Sequence, residues 1–235
     1  MVEQKKVSVA NFNVVFDDNQ IESPMLDYFE TVMMPAMQAG YVQKKGDNEF
    51  LFTDVHVEKD GSEQYVLVGN IVKKTILEIK SDLDDSGNLI EKDELHSSAP
   101  YSMFVIYLNN HRMILAENQK GSPTIANFRT LTRYVLDRFV RINNEDDSKT
   151  KLPIALVNVV GIPRMESIEE ILKGVHKVNT LTLRFYPLNG DGDIKLSGAF
   201  EILSKEARAI LGSKTGSVTY NSPSNINAVS YTHLR

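Results

Sequence analysis

The sequence predicts an α+β protein: a mainly antiparallel sheet covered by helices, followed by a smaller β-α-β lobe. Three observations carry this expectation. Runs rich in β-branched and aromatic residues are joined by short turn signals, which favours hairpins over crossovers. Two longer runs, after Ser23-Pro24 and after Ser122-Pro123, place apolar residues three and four apart, the spacing of a buried helix face. Beyond a polar stretch near residue 150, the order changes to strand, helix, strand. The expected organisation is a sheet domain with two helices over 1–150, a β-α-β-α lobe over 151–227 and a tail over 228–235.

Taken in order, Val7 to Phe16 alternates apolar and polar residues through part of its length, as a half-buried strand does. Ser23-Pro24 places a capping hydroxyl before a proline at the first helical position, where the missing N–H costs nothing. The helix is expected to run through Leu26, Phe29, Val32, Met33 and Ala36 to Gly40, with Pro35 kinking or breaking it. Its methionines read as core filler, or as an adaptable binding face. Tyr41–Lys45 and Glu49–Glu58 read as a hairpin about Gly46-Asp47, and Gly61 marks the next turn. Gln64–Lys80 is a long strand in which Gly69 suggests a bulge. Ser81–Ser98 is polar and acidic and reads as a long solvated loop, which could repel nucleic acid or shield a basic site.

The stretch from Ala99 to Ile142 is the most consistent in the chain. Met103–Leu108 is a strand, Asn109-Asn110 suits a two-residue turn, and Arg112–Glu117 returns beside it. Ser122 stands as N-cap and Pro123 at the first helical position. Ile125, Phe128, Leu131, Val135, Phe139 and Ile142 then form the expected buried stripe. After a polar linker at Asn143–Lys151, Leu152–Val160 is a strand, Glu166–Lys173 a helix and Val178–Tyr186 a strand. This arrangement suggests a parallel crossover. A turn at Asn189–Asp193 and a helix at Phe200–Leu211 follow. The final Val229–Arg235 has the look of translated adapter read-through, so a non-native tail is expected there.

Composition narrows the function classes. The 235 residues are 42% hydrophobic and 24% charged, values of a globular chain with a real core. The net charge of −5 offers no global attraction to nucleic acid, so any such contact needs a local patch. There are no cysteines, which removes disulfides, thiolate metal sites and cysteine nucleophiles. No apolar run approaches the ~20 residues of a membrane span. A cytoplasmic protein is expected, with no membrane partner and no cofactor.

Motifs of chemistry mostly fail on inspection. Asn189, Asp191 and Asp193 begin a calcium-loop spacing, but Ile194 and Phe200 stand where Gly and Glu are needed. Gly212-Ser-Lys-Thr215 lacks the first Gly of a phosphate loop and carries an extra Ser. No two of the histidines have helical metal-ligand spacing, and no Gly-x-Ser-x-Gly elbow exists. One enzyme pattern remains. Asp60 in a turn and Glu78-Ile-Lys80 on a strand resemble the carboxylates and lysine of a metal-dependent nuclease. Arg129, Arg133 and Arg141 lie together on one side of the central helix, with Lys120 just before it, and form a candidate basic face for DNA.

The order of elements also resembles the RexA-like phage-exclusion proteins and related prokaryotic families. The resembling parts are Glu49-Phe-Leu-Phe-Thr53, the strand pair around Phe104-Val-Ile and Met113-Ile-Leu115, Gly121-Ser-Pro123, and Leu152 to Tyr186. The span is roughly Tyr41 to Leu211. The resemblance implies abortive phage defence and sequence-nonspecific DNA binding, and brings no catalytic residues. The leading expectation is thus a non-enzymatic nucleic-acid-binding or regulatory component of phage defence, binding DNA through Lys120, Arg129, Arg133 and Arg141. The alternatives are a metal-dependent nuclease using Asp60, Glu78 and Lys80, and a protein-interaction module that assembles with itself or others.

Overall fold

A computed structural model of the chain describes residues 5–18, 21–162, 175–185, 207, 210–213 and 216–224. The chain is mostly antiparallel β, with 50% of residues in strands and 21% helical, and the main sheet curls into a half-barrel. The expected sheet covered by helices is therefore corrected. Among the described residues the core cluster lies on one side of the sheet; on the other side Val15 and Val66 are buried but much of the rest is open. Val7, Val9 and Met103 on the other side are 55%, 41% and 54% exposed.

The first strand, β1 (Val7–Asp18), has neighbours along both edges. On one edge it pairs with β9 (Ile154–Gly161). Along the other it pairs first with β8 (Arg112–Glu117) and then with the short β2 (Ile21–Pro24). From β8 the sheet continues through β7 (Tyr101–Tyr107), β5 (Tyr65–Leu83), β4 (Asn48–Lys59) and β3 (Gln43–Lys45). All pairings are antiparallel.

Two contacts demonstrate the curl. Four strand spacings of ~4.8 Å would separate β1 from β4 by roughly 19 Å in a flat sheet. Yet Phe12 of β1 and Phe52 of β4 both pack on Phe128, with ring centroids 5.9 and 5.3 Å away. Phe104 of β7 completes the cluster at 5.0 Å. Phe128 belongs to α2 (Ile125–Glu145), which lies in the hollow of the sheet together with the segment Met25–Gln38.

Local chemistry explains where the elements depart from expectation. Ser23-Pro24 does not cap a helix; it pairs with Phe16 and Val15 as part of β2. The segment that follows is a 3₁₀ turn (Met25–Tyr28), a π-helical turn (Phe29–Met33) and then α1 (Met34–Gln38). Pro35 supplies the reason: it has no N–H to bond backwards, and its ring crowds the carbonyl four residues earlier. The wider π-helical turn accommodates that, and Pro35 ends up in the first turn of α1, where proline is tolerated.

Helix α2 is capped by Thr124, not Ser122. The Thr124 N–H and hydroxyl donate to Asn127 Oδ1 at 3.0 and 2.9 Å. The buried Ser122 closes the preceding turn by accepting the Gln119 N–H at 3.1 Å. The buried face runs through Phe128, Leu131, Val135, Leu136 and Val140; Phe139 is half-buried and Ile142 is 43% exposed. At the β7–β8 turn the left-handed residue is His111, at φ 54°, whose N–H donates to the Tyr107 carbonyl at 2.8 Å. The loop is consequently longer than a two-residue Asn-Asn turn.

Gly69 marks a close approach and not a bulge. The bulge is on the neighbouring strand between Thr53 and His56, with Asp54 left-handed at φ 54°. The Val55 carbonyl in this bulge accepts from Gln38 Nε2 of α1 at 2.8 Å.

The expected crossover lobe is corrected as well. Residues Ile154–Gly161 belong to the main sheet, so no seam near residue 150 separates them from β1. The linker is tied back to α2: Asn144 Nδ2 donates to the Leu152 carbonyl and Asn144 Oδ1 accepts the Leu152 N–H, at 2.8 and 2.7 Å. The strand β10 (Thr180–Phe185) pairs antiparallel with β11 (Gly216–Asn221) in a separate two-stranded sheet. The expected helix at Glu166–Lys173, the turn at Asn189–Asp193 and the tail after 228 lie outside the described residues, as does most of the expected helix at Phe200–Leu211.

Candidate interaction surface

The acidic stretch expected to be a loop is a strand. β6 (Leu89–Ser98) pairs with the far half of β5, from Thr75↔Ser98 to Leu83↔Leu89. The near half of β5 lies between β4 and β7, but beyond Lys74, among the described residues, only β6 accompanies it. The nineteen-residue β5 thus carries a two-stranded arm out of the half-barrel.

The turn at its tip is built by Asp84. Its Oδ1 accepts the Ser86 and Asn88 N–H groups at 2.9 and 2.8 Å, and its Oδ2 accepts Asn88 Nδ2 at 3.1 Å. Gly87 takes the left-handed conformation at φ 83° that this turn requires. The hydrogen bonds from Asn88 hold the Asp84 carboxyl below the usual carboxylate range. Further along, Lys92 Nζ lies 3.0 Å from Asp82 and 3.5 Å from Glu94. The hydrogen bond that Lys92 donates to Asp82 lowers the Asp82 carboxyl and raises Lys92, and the bond with His96 lowers Glu94. A register shift between Ile79 and Ser81 places an extra residue on the β6 side.

Strand alternation divides the arm into two faces. Leu77, Ile79 and Leu83, with Leu89 opposite Leu83, continue the side that faces the core within the barrel. Ile76, Leu95 and Ile90 lie on the other. Of these, Leu77, Leu83 and Leu89 are 53%, 62% and 76% exposed. Between Thr75 and Ser98 the chain also carries seven acidic and two basic side chains, which accounts for its entire net charge of −5.

The predicted site residues do not converge. Asp60 closes the β4–β5 turn, accepting the Ser62 and Gln64 N–H groups at 2.8 and 3.0 Å. Glu78 and Lys80 are on the arm and pair with each other at 3.2 Å. Roughly 40 Å of strand separates them from Asp60, at ~3.3 Å per residue, so the three cannot share one metal ion. Among the described residues, no three His, Asp or Glu side chains are placed to hold a metal.

The basic side of α2 is also dispersed. Arg133 Nε and Nη2 both donate to the Val157 carbonyl, at 3.0 and 2.7 Å. The Ile162 N–H donates to the Val9 carbonyl, which sets the phase of the β1–β9 ladder and turns the Val157 carbonyl toward the outer edge. Arg133 therefore caps a sheet edge. Arg141 is 4.0 Å from Glu145, Arg129 is half-buried, and Lys120 is exposed before the helix begins. Arg138, which the sequence did not single out, sits 5.1 Å above the Tyr41 ring and donates to the Tyr134 hydroxyl at 2.9 Å. That hydroxyl in turn donates to the Val42 carbonyl at 3.0 Å.

A family model described as a domain of unknown function, DUF4747, matches residues 5–202. The chain belongs to this family. The DUF4747 match takes in the main sheet with β9, both helical segments and the arm. No curated protein and no solved structure matches the chain. Among the described residues, no helix is long and apolar enough to cross a membrane.

Proposed function

We propose that this protein is a non-enzymatic binding component of phage defence that works by docking a protein partner on its β5–β6 arm. The phage-defence part draws on the resemblance to RexA-like proteins in the segments quoted above. The docking part rests on one observation: the arm holds Ile76, Leu77, Leu83, Leu89, Ile90 and Leu95 at 40–76% exposure on a two-stranded ribbon. A ribbon of two strands is marginal in water by itself. One that only had to stay soluble would gain nothing from large apolar side chains on both faces. A partner that covers them supplies the missing burial, at about 25 cal/mol per Å².

The test is site-specific photo-crosslinking in cells, with the reactive group placed at Leu83 or Leu89 on the arm, or at Val160 on the body. Protein adducts concentrated at the arm positions support the assignment. Adducts confined to Val160, or none at any position, refute it.

A second reading, sequence-independent nucleic-acid binding, is supported by the exposure of Lys120 and Arg141 and the partial exposure of Arg129. It requires affinity that falls with salt by ~0.9 log units per phosphate contact. Changing Arg129 and Arg141 together to Gln should then flatten the slope by about two contacts. An unaltered slope removes the helix from the site.

A further inference from the structure

We infer that the arm's partner is a basic, extended protein segment that adds to β6 as a third strand. The inference rests on the docking function proposed above and specifies the chemistry of the occupant.

The open edges of the sheet lead to it. A strand edge with unpaired N–H and C=O groups is a template for another strand, and proteins usually block it. Here the main sheet does so. The β9 edge is capped at Val157 by Arg133. The three-residue β3 is short and carries Lys44 and Lys45, and the four-residue β2 ends in Pro24. The arm differs: β6 offers ten residues, and its outer edge is unpaired among the described residues. Its one irregularity, the extra residue opposite Lys80, leaves Leu95–Ser98 and Leu89–Glu91 as regular segments on either side.

Charge selects among the possible occupants. A second copy would set an arm of net −5 against another of the same sign, and like charges directly opposite one another destabilise a strand pair. Nucleic acid is disfavoured for the same reason. On β6 itself Glu91, Asp93 and Glu94 outnumber Lys92, which is already engaged by Asp82 and Glu94. An added strand that alternates Lys or Arg with aliphatic residues meets both features. Its cations face Glu91 and Glu94, which share the Leu83–Leu89 side, and its apolar side chains extend the other face, which carries Ile90 and Leu95. Main-chain hydrogen bonds would supply affinity and the alternating side chains specificity.

The experiment uses the full-length protein and three labelled ten-residue peptides: alternating Lys and Val, alternating Glu and Val, and the Lys-Val composition in scrambled order. Fluorescence anisotropy gives the affinities, and hydrogen exchange reports protection of β6 amides. The alternating basic peptide should bind about tenfold or more tighter than either control, weaken with salt and protect β6. The variant Glu91→Lys/Glu94→Lys should lose about tenfold in affinity, and Ile90→Ser/Leu95→Ser should also weaken binding. Both pairs lie outside the barrel core, and unchanged melting of the body checks that the fold persists. Equal binding of all three peptides, absence of binding, or protection away from β6 overturns the inference, as does self-association through the arm in sedimentation. Arm crosslinks to a protein without basic-peptide binding would refute the inference while leaving the docking function standing. Failure of both would remove that function too.

Discussion

Replacing Gly69 with alanine tests how tightly the half-barrel is wound. Gly69 on β5 pairs with Phe104 on β7. A Cβ at Gly69 would lie 2.7 Å from Phe104 Cζ, 3.0 Å from its Cε1 and 3.1 Å from Val55 Cγ2. Carbon atoms pack best at ~3.5–4.0 Å, so the closest overlap approaches 1 Å. The Phe104 ring has little room to retreat: it is 1% exposed and lies 5.7 Å from Phe52 and 5.0 Å from Phe128. Overpacking of this kind costs about 1–3 kcal/mol. Alanine returns about 0.4–1 kcal/mol by restricting the unfolded chain. The steric effect wins by roughly 1–2 kcal/mol, which for a chain of this size is a fall in Tm of about 2–8 °C. Thermal and urea unfolding of Gly69→Ala measure it. Trimming the ring identifies the cause, because Gly69→Ala should cost less in a Phe104→Leu background than in the wild type. A Gly69→Ala protein that melts at or above the wild-type temperature would refute the steric account.

Phe128→Ala should cost about 3–5 kcal/mol in chemical denaturation, and the half-buried Phe139→Ala clearly less. Removing the edge cap with Arg133→Ala should cost about 1 kcal/mol and speed amide exchange along β9, while Arg129→Ala stays within about 0.5 kcal/mol of wild type. Thr124→Ala should destabilise by about 1 kcal/mol, as loss of a helix N-cap does. The arm should loosen in acid. Asp82, Asp84 and Glu94 are all depressed, so their contributions are present above their unfolded values near 3.8 and 4.5 and vanish as pH falls through the folded ones. Lys92 is raised, so its contribution is present below 10.5 and is lost as pH rises through the folded value. Measured against the intrinsic exchange rate at each pH, protection at Gly87 and Asn88 should fall below about pH 4 before the body unfolds; protection lost in step with the body would count against this.

What was legible in the sequence was local. The hairpin about Gly46-Asp47, the β7–β8 pair and the span of α2 all follow from periodicity and turn chemistry within a few residues. Distant pairing was not legible, because the partners of Val9 are Ile114 on one edge and Ile162 on the other, and nothing near Val9 announces either. The arm is a hairpin whose acidic residues give it the composition of a solvated loop. Leu83 and Leu89 flank Asp-Asp-Ser-Gly-Asn, a turn between two strands. Gly69 stood out, but for the wrong reason, since a missing side chain does not say whose ring fills the space. The basic side of α2 was drawn from helical spacing alone, which cannot know that an edge carbonyl waits for Arg133.

The position of β1 has a consequence for how the chain is made. Phe12, Val14 and Phe16 leave the ribosome ahead of the other described strands of the main sheet, whereas the strand that covers their outer edge, β9, follows all of those strands. At ~5–20 residues per second, the roughly 140 residues between them keep that edge unpaired for on the order of ten seconds. In that interval β2 can pair with Val15 to Asp18 and β8 with Val7 to Asn11, both along the opposite edge. The nascent chain therefore carries an open strand edge throughout the synthesis of those residues, and its yield should depend on the chaperones that hold such strands apart.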